Sequence, residues 1–488
     1  MTEYHSVASF PRIESVRRQV LPRVMTGRYG DRVLNGVQPA PKRISALSRL
    51  VAWSILIDFA VAYIISPGTE VRVFGLLLPQ LVRGCTLAIF TVIVLTNANH
   101  VRRRCRTSGT LYALGVIVLA TISVAEYFRN RTLPLISINA YLQILYWLTF
   151  WVLIDLSATD RLNALYIVRR WLVAMFVLGG SVYYGYFTGS LQSYSDLGIT
   201  ASAGLAGYGK GLAGQMLVAC VTILFFARRR HEVLAAIAAV VCVGSAFLTY
   251  VRSGAVAAAA AVAWLLIWTV FLRRGKIQGL WIARFLIVLA AAGVAFFALV
   301  GPGDLAKRWH DVSDSEKGGS GRAAFWRIAV DEYTGETLEK ELAGIGYEGM
   351  LSLMERRYGI RIATHNDLLD ALTVGGALGC LYGCLLAGLL VARWRSCPPH
   401  SAAFAVVGAI LIVWLCQGLL TGQIFAPDTM VSYVLGITCV LAVSEGRRST
   451  SFRADCGSRI GFCEPVAVTA EAVRLAEVRK MIRGEDSK

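Results

Sequence analysis

Residues 364–395 read THNDLLDALTVGGALGCLYGCLLAGLLVARWR. Past the two aspartates of its first turn, Asp367 and Asp370, the stretch is almost wholly apolar until it closes on Arg393 and Arg395. About 20 mostly apolar residues cross the hydrocarbon core of a bilayer. The segment therefore reads as a membrane-spanning helix with a polar head, Thr364-His365-Asn366, at one end and a basic foot at the other. Cytoplasmic loops collect Lys and Arg, which puts the foot inside and the head outside. Gly375 and Gly376 mark a candidate break within the helix.

Working outward, further apolar stretches fall at roughly 47–66, 73–97, 109–127, 134–156, 171–187, 211–227, 232–251, 254–272, 280–300, 400–420 and 428–444. With 367–392 they make about twelve spans. The 488 residues are 56% hydrophobic and only 16% charged, with a mean hydropathy of +0.57. This composition excludes a soluble multidomain enzyme and a disordered chain. Continuous apolar runs also exclude an outer-membrane barrel, whose strands alternate. The fold class expected is an all-α polytopic membrane protein of about twelve helices. A net charge of +18 would suggest nucleic acid in a soluble protein. Here basic loops facing the cytoplasm explain it, and membrane lipids rather than nucleic acid are the expected surroundings. Arginines cluster at 102–106, 228–230 and 273–276, and every inner loop is basic. The domain reading is a basic inner tail 1–46, nine spans over 47–300, a large outer segment 301–366, three spans over 367–444, and an inner tail 445–488. Both ends are expected in the cytoplasm. The first 46 residues show no apolar signal-peptide core, so the first span acts as the membrane signal. Residues 6–25 mix apolar and arginine positions suited to an anionic leaflet. The second span is the weakest, because Arg83 interrupts it.

The outer segment is the longest outer connection, and long loops with structure of their own are usually functional. Residues 321–333, GRAAFWRIAVDEY, read as a short amphipathic helix with Ala324, Phe325, Ile328 and Ala329 on one side. Residues 348–358 read as another, with a tight turn from Gly344 to Gly349 before it. None of the eleven cysteines lies in this segment. Cys380 and Cys384 read as small packing residues. There is no zinc or haem spacing, no P-loop and no dinucleotide fingerprint, so no cofactor or metal is expected.

Three outward-facing residues stand out. Arg252 sits where the seventh span turns into the eighth, in T-Y-V-R-S-G. An ionisable residue at the membrane margin is a functional candidate. Arg322 opens the first outer helix. His365 precedes the tenth span, with Thr364 and Asp367 reading as a capping box. The positive end of that helix favours a neutral imidazole, which can accept a proton near neutral pH. Arg129 also faces outward, with no role assigned to it. Arginine forks bind phosphate oxygens, and a neutral histidine can activate a hydroxyl. The set suits group transfer from a phosphorylated lipid at the outer leaflet, with diphosphate as leaving group.

At these residues the chain resembles the O-antigen ligase and polymerase superfamily of bacterial membrane glycosyltransferases, over roughly Val241 to Leu390. Three stretches carry the resemblance. They are V-R-S-G from Val251 to Gly254, S-G-R-A-A-F-W from Ser320 to Trp326 followed by A-G-I-G-Y, and His365-Asn366 with nine residues before Gly376-Ala-Leu-Gly379. Val251 departs from the small polar residue common there, and the N-terminal extension lies outside the pattern. The resemblance implies a GT-C-type fold in the bacterial inner membrane. It implies an undecaprenyl-diphosphate-linked glycan as donor, with the lipid A core or a lipid-linked repeat unit as acceptor. It implies metal-independent, inverting transfer, with Arg252, Arg322 and His365 catalytic. Arg252, Arg322, Trp326 and Asn366 are expected to touch substrate. The rival from another class is a polytopic transporter or flippase of a glycolipid, with its site on broken helices near the midplane.

Overall fold

The computed structural model describes residues 44–65, 72–73, 76–132, 134–190, 192–196, 199–202, 204–206, 209–226, 232–272, 287–288, 290–294, 298, 322–334 and 337–460. The amphipathic stretch 6–25 and most of the ninth expected span, 280–300, lie outside them. The helices are α1 (Ala46–Phe59, continued in π form to Ile65), α2 (Leu78–Thr96), α3 (Ala98–Arg104), α4 (Arg106–Asn130), α5 (Leu135–Ser157) and α6 (Arg161–Thr188). They continue as α7 (Gly209–Phe226), α8 (Glu232–Leu248) and α9 (Arg252–Ile267, π to Leu272). The outer segment holds α10 (Arg322–Thr334), α11 (Leu338–Ala343) and α12 (Tyr347–Tyr358). The chain then forms α13 (Asp367–Arg395), α14 (Ala402–Thr421) and α15 (Pro427–Ile460). Two short antiparallel ribbons, Arg72–Val73 with Leu76–Leu77 and Gln192–Asp196 with Ile199–Ser202, were not expected from the sequence.

Among the described residues, nine helices are long and apolar enough to cross a membrane, and two shorter ones, Gly211–Phe226 and Glu232–Leu248, are apolar. All of these coincide with expected spans. The ninth expected span lies mostly outside the described residues.

Helix starts follow local chemistry. Ser45, Asp160 and Ser401 each accept backbone N–H bonds at the first turns of α1, α6 and α14, satisfying donors that have no intrahelical partner. The last span, Pro427–Ser444, is 83% buried, whereas α2 is 17% buried. α15 is thus central and α2 a rim helix whose apolar side chains suit lipid. Without water in a bilayer, a buried indole N–H is stabilised by a protein acceptor. Trp147 donates to the Ile424 carbonyl (3.1 Å), Trp264 to Ala405 (2.9 Å) and Trp268 to Pro399 (2.7 Å). Arg83, which interrupts α2, is answered by Asp58 on α1 (2.9 Å) and Asp428 on α15. At the opposite end, the Arg393 fork holds both oxygens of Asp155 at 2.9 and 2.7 Å, and Ser108 donates to the same carboxylate. Cys384 is exposed on α13 rather than packed, a correction to its reading as a packing residue: the helix turns that position outward.

α13 is broken at Gly376, where φ is 58° and ψ −148°. The carbonyls of Thr373 and Val374 instead accept from the backbone N–H groups of Ile345 (2.8 Å) and Gly346 (3.0 Å). Gly344 and Gly346 carry positive φ of 70° and 79°. A Cβ on Gly376 would strike the backbone of Glu341, Leu342 and Gly344, and one on Gly344 would strike Val374. The part of α13 beyond the break, residues 377–395, is about 28 Å long at 1.5 Å per residue, close to the hydrocarbon thickness of about 30 Å. The expected turn at Gly344–Gly349 is shorter than read: Gly346 already caps α12.

The same junction is held from the other side. Arg129 donates to the Gly344 carbonyl (2.9 Å) and reaches Glu339 (3.3 Å). The buried Glu126 carboxylate accepts from Ser137 (2.7 Å). The Ser137 and Tyr141 oxygens in turn accept the N–H groups of Glu348 and Tyr347 at the start of α12. A carboxylate relayed to a helix N-terminus is favourable.

Alanine at Gly376 is expected to release the outer segment. It meets a left-handed backbone penalty of about 1–2 kcal/mol and the steric conflict above. Gly388→Ala on the same helix, where nothing lies within 4 Å of the added Cβ, serves as the control. Limited proteolysis should cut 322–358 faster in Gly376→Ala only; equal rates in both variants contradict this account. Reporter fusions at Gly318 and Lys488 are expected to report opposite compartments, and fusions on the same side sink the twelve-span topology.

Candidate active site

His365 stands in the eight-residue connection between α12 and α13, at the end of the outer segment. The residue before it, Thr364, is fully buried. Its N–H and hydroxyl both donate to Asp370 Oδ1, at 2.9 and 2.6 Å, and its carbonyl accepts from the Trp326 indole at 3.2 Å. The residue after it, Asn366, caps α13: its side-chain oxygen accepts from Leu368 and Leu369, and its amide nitrogen donates to Leu419 at 3.0 Å. Asp367 accepts the N–H groups of Gln423 and Ile424, which fixes the turn between α14 and α15. The expected capping box is therefore corrected. Asn366 is the cap, and Thr364 is turned to Asp370 because the carboxylate one turn in offers a charged acceptor to two donors at once.

Between these anchors His365 has a φ of 59°. Non-glycine residues held left-handed cost of order 1–3 kcal/mol and cluster at functional sites. Tyr250, two residues before Arg252, is held the same way with φ 52°. Gly422 (φ 67°) comes within a Cβ's reach of both Asp370 Oδ2 (3.1 Å) and His365 Cα (3.2 Å), so the α14–α15 turn lies directly against the histidine.

His365 lines a cavity of about 360 Å³ at this end of the bundle, walled by Tyr63, Gln215, Tyr347, Asp370 and the 421–429 turn. The sequence-expected residues distribute unevenly about it. Trp326 and Asn366 bracket His365 through Thr364 and the helix cap. Phe325, one turn after Arg322, lies 6.4 Å ring to ring from His365. Ser253, next to Arg252, donates to Gln417, which also binds Thr421 in the cavity wall. Neither Arg252 nor Arg322 is among the described residues lining the cavity. Arg252 is half-buried at the start of α9, and Arg322 half-buried at the start of α10. What connects α9 and α10 to the His365 cavity is thus Ser253 and Phe325, not the arginines themselves.

Sequence reasoning missed Asp58, Tyr63, Gln215, Gln423 and Asp428. Tyr63 donates to Asp428 at 2.8 Å, and both face the cavity. A carboxylate inside a span, as at Asp58, was the available signal.

Residues 237–382 match the family model described as O-antigen ligase. This places that segment, less than a third of the chain, in the O-antigen ligase and polymerase superfamily expected from its motifs. The matched stretch runs from α8 into α13 and contains Arg252, Arg322, Trp326, His365 and both motif glycines. A search of curated proteins gives no match. The match supports a role of O-antigen ligase or polymerase type in surface polysaccharide assembly, and with it glycosyltransferase-like activity in a multi-pass membrane protein.

Thr364→Val keeps the shape of the side chain but removes a hydrogen bond to a buried carboxylate. It is expected to lower stability by about 1–3 kcal/mol, read as a lower Tm of the purified protein. Thr121→Val, whose hydroxyl bonds only its own helix on an exposed face, should leave Tm unchanged. A shift common to both variants removes the special role of Thr364.

Proposed function

We propose that this protein transfers a glycan from undecaprenyl diphosphate to a hydroxyl of a lipid A core or of a lipid-linked repeat unit, at the outer face of the bacterial inner membrane, with both termini cytoplasmic. The observation that carries the reading is His365. It is held in a strained backbone on a cavity wall by bonds on both sides, within the segment that matches O-antigen ligase. In this reading the acceptor hydroxyl gives its proton to His365 as its oxygen bonds the anomeric carbon. The bond from that carbon to the diphosphate oxygen breaks on the opposite face, and the diphosphate leaves with the electron pair. One in-line displacement inverts the anomeric centre. Arg252 and Arg322 hold the diphosphate and stabilise the charge that develops on it. Asp370, on the same wall, stabilises the imidazolium that forms. Trp326 and Asn366 act as positioning residues, since their polar atoms bind Thr364, Leu419 and the first turn of α13. The reading is metal-free: Asp367 and Asp370, the nearest approach to a ligand pair, each commit Oδ1, to the Gln423 and Ile424 N–H groups and to Thr364 respectively.

The break at Gly376 is the one feature that favours the transporter reading, since transporters bind substrate at broken helices. Here the freed carbonyls are taken by Ile345 and Gly346, so the break seats the outer segment rather than exposing backbone to a substrate.

The test is transfer in excess EDTA by membrane-inserted variants. His365→Ala is expected to lose about 10²–10⁴-fold. Arg252→Lys and Arg322→Lys should also be impaired, because a point charge cannot reproduce a fork. Arg327→Lys, exposed on the same helix as Arg322, is the control. Near-normal activity of His365→Ala contradicts the base assignment. Activity lost to EDTA and restored by added metal contradicts the metal-free step. In a deletion strain, loss of capped lipopolysaccharide with intact lipid-linked polymer identifies a ligase, and accumulation of single repeat units a polymerase.

A further inference from the structure

The wall of the cavity beside His365 includes two glutamines and two carboxyl groups. Gln215 is 3% exposed and Gln423 1% exposed, and both face the cavity. Each donates its amide nitrogen to a threonine, Gln215 to Thr429 (3.2 Å) and Gln423 to Thr421 (2.9 Å). The Thr421 hydroxyl spends its own hydrogen on Gln417. It can therefore only accept from Gln423, and this fixes the Gln423 carbonyl away from it. The side-chain oxygens of Gln215 and Gln423 are both buried without a hydrogen-bond partner among the described residues. Buried acceptors in this state are expensive unless something supplies a donor.

The rest of the wall agrees with a ligand that donates. Asp370 and Asp428 place two carboxyl groups there, the second already paired with Arg83 and Tyr63, and no Lys or Arg is among the described lining residues. A diphosphate would find no donor fork there. Tyr347 and Phe425, with ring centroids 4.7 Å apart and planes at 53°, give the same cavity an aromatic corner. Unpaired acceptors beside aromatic faces suit a ring that is apolar on its face and rich in hydroxyl donors at its edge.

We infer that this cavity is a sugar subsite that holds the acceptor's hydroxyl-bearing residue against His365, with Gln215 and Gln423 accepting from its other hydroxyls and Tyr347 and Phe425 packing on its face. The donor's diphosphate stays outside it, on the side of Arg252 and Arg322. The inference rests on the proposed function for the identity of the attacking group. The acceptor chemistry of the wall stands independently of it.

The test measures binding to the full chain in lipid nanodiscs. The probes are undecaprenyl diphosphate and two phosphatase-treated oligosaccharides from a strain lacking the protein, one released from its lipid-linked pool and one from its surface glycolipid. Gln215→Leu and Gln423→Leu should each weaken binding of at least one oligosaccharide, by roughly three- to tenfold for one neutral hydrogen bond. Undecaprenyl diphosphate should bind both variants as it binds the parent, which also shows that they are folded. Arg252→Lys and Arg322→Lys should give the reverse pattern. Three results overturn the subsite: no saturable binding of either oligosaccharide to the parent, unchanged oligosaccharide binding in both glutamine variants, or an equal loss of undecaprenyl diphosphate binding in them. If the parent fails to bind undecaprenyl diphosphate while oligosaccharide binding depends on the glutamines, the donor assignment fails and the subsite stands.

Discussion

The pairing of Ile345 and Gly346 with the broken α13 is the constraint on which the outer half of the molecule depends. A helix in a bilayer cannot leave carbonyls unpaired, because no water replaces the lost bond. A break at Gly376 is therefore tolerated only if another backbone arrives to take up Thr373 and Val374. That backbone comes from the outer segment, and it must come closely enough that side chains on Gly344 or Gly376 would collide with it. One requirement thus explains two glycines and fixes where α11 ends and α12 begins. Gly379 fits the same logic: a Cβ there would strike the Ala371 carbonyl one turn before the break.

Once seated, the outer segment sets the position of His365 from two directions. α10 supplies the Trp326 indole to the Thr364 carbonyl, and α13 supplies Asp370 to the Thr364 N–H and hydroxyl. Asn366 and Asp367 then tie the same helix start to the α14–α15 turn. The left-handed φ of His365 is the strain that these bonds hold. Each belongs to a buried or half-buried polar group, so releasing the histidine would leave several unsatisfied groups at once. Arg129 and Glu126 carry this network to α4 and α5, well away from the motif residues.

The spans were legible because hydropathy at membrane length is a strong signal, and they agree with the helices wherever residues are described. α10 and α12 were legible too, through the spacing of Phe325 and Ala329 and of Met350, Leu353 and Met354, which are buried. The cap at Asn366 was misread because Thr364 and Asp367 have the spacing of a capping box, while the stronger partner for Thr364, Asp370, lies six residues on. The cavity wall was not legible. Gln215, Gln423 and Asp428 come from distant parts of the chain, and a lone glutamine in an apolar run carries no pattern. Only packing shows that Tyr63 and Asp428 meet, or that Arg83 bridges Asp58 and Asp428 rather than interrupting a span.

The charge distribution around the site follows from that packing. Arg83 is spent on Asp58 and Asp428 inside the bundle, and Arg129 on Gly344 and Glu339. Both arginines are thus committed to protein groups. The Gln215 and Gln423 side-chain oxygens on the cavity wall keep accepting capacity among the described residues, and acceptors next to a histidine suit a hydroxyl that must lose a proton better than a phosphate that must gain charge. An in-line displacement needs those two environments on opposite sides of the same carbon, one at the attacking oxygen and the other at the leaving oxygen. In the reading we propose, the cavity wall takes the acceptor side of His365 and the starts of α9 and α10, with Arg252 and Arg322, take the donor side. In that geometry the histidine is the boundary between the two, and its strained, doubly anchored backbone is what a boundary position requires.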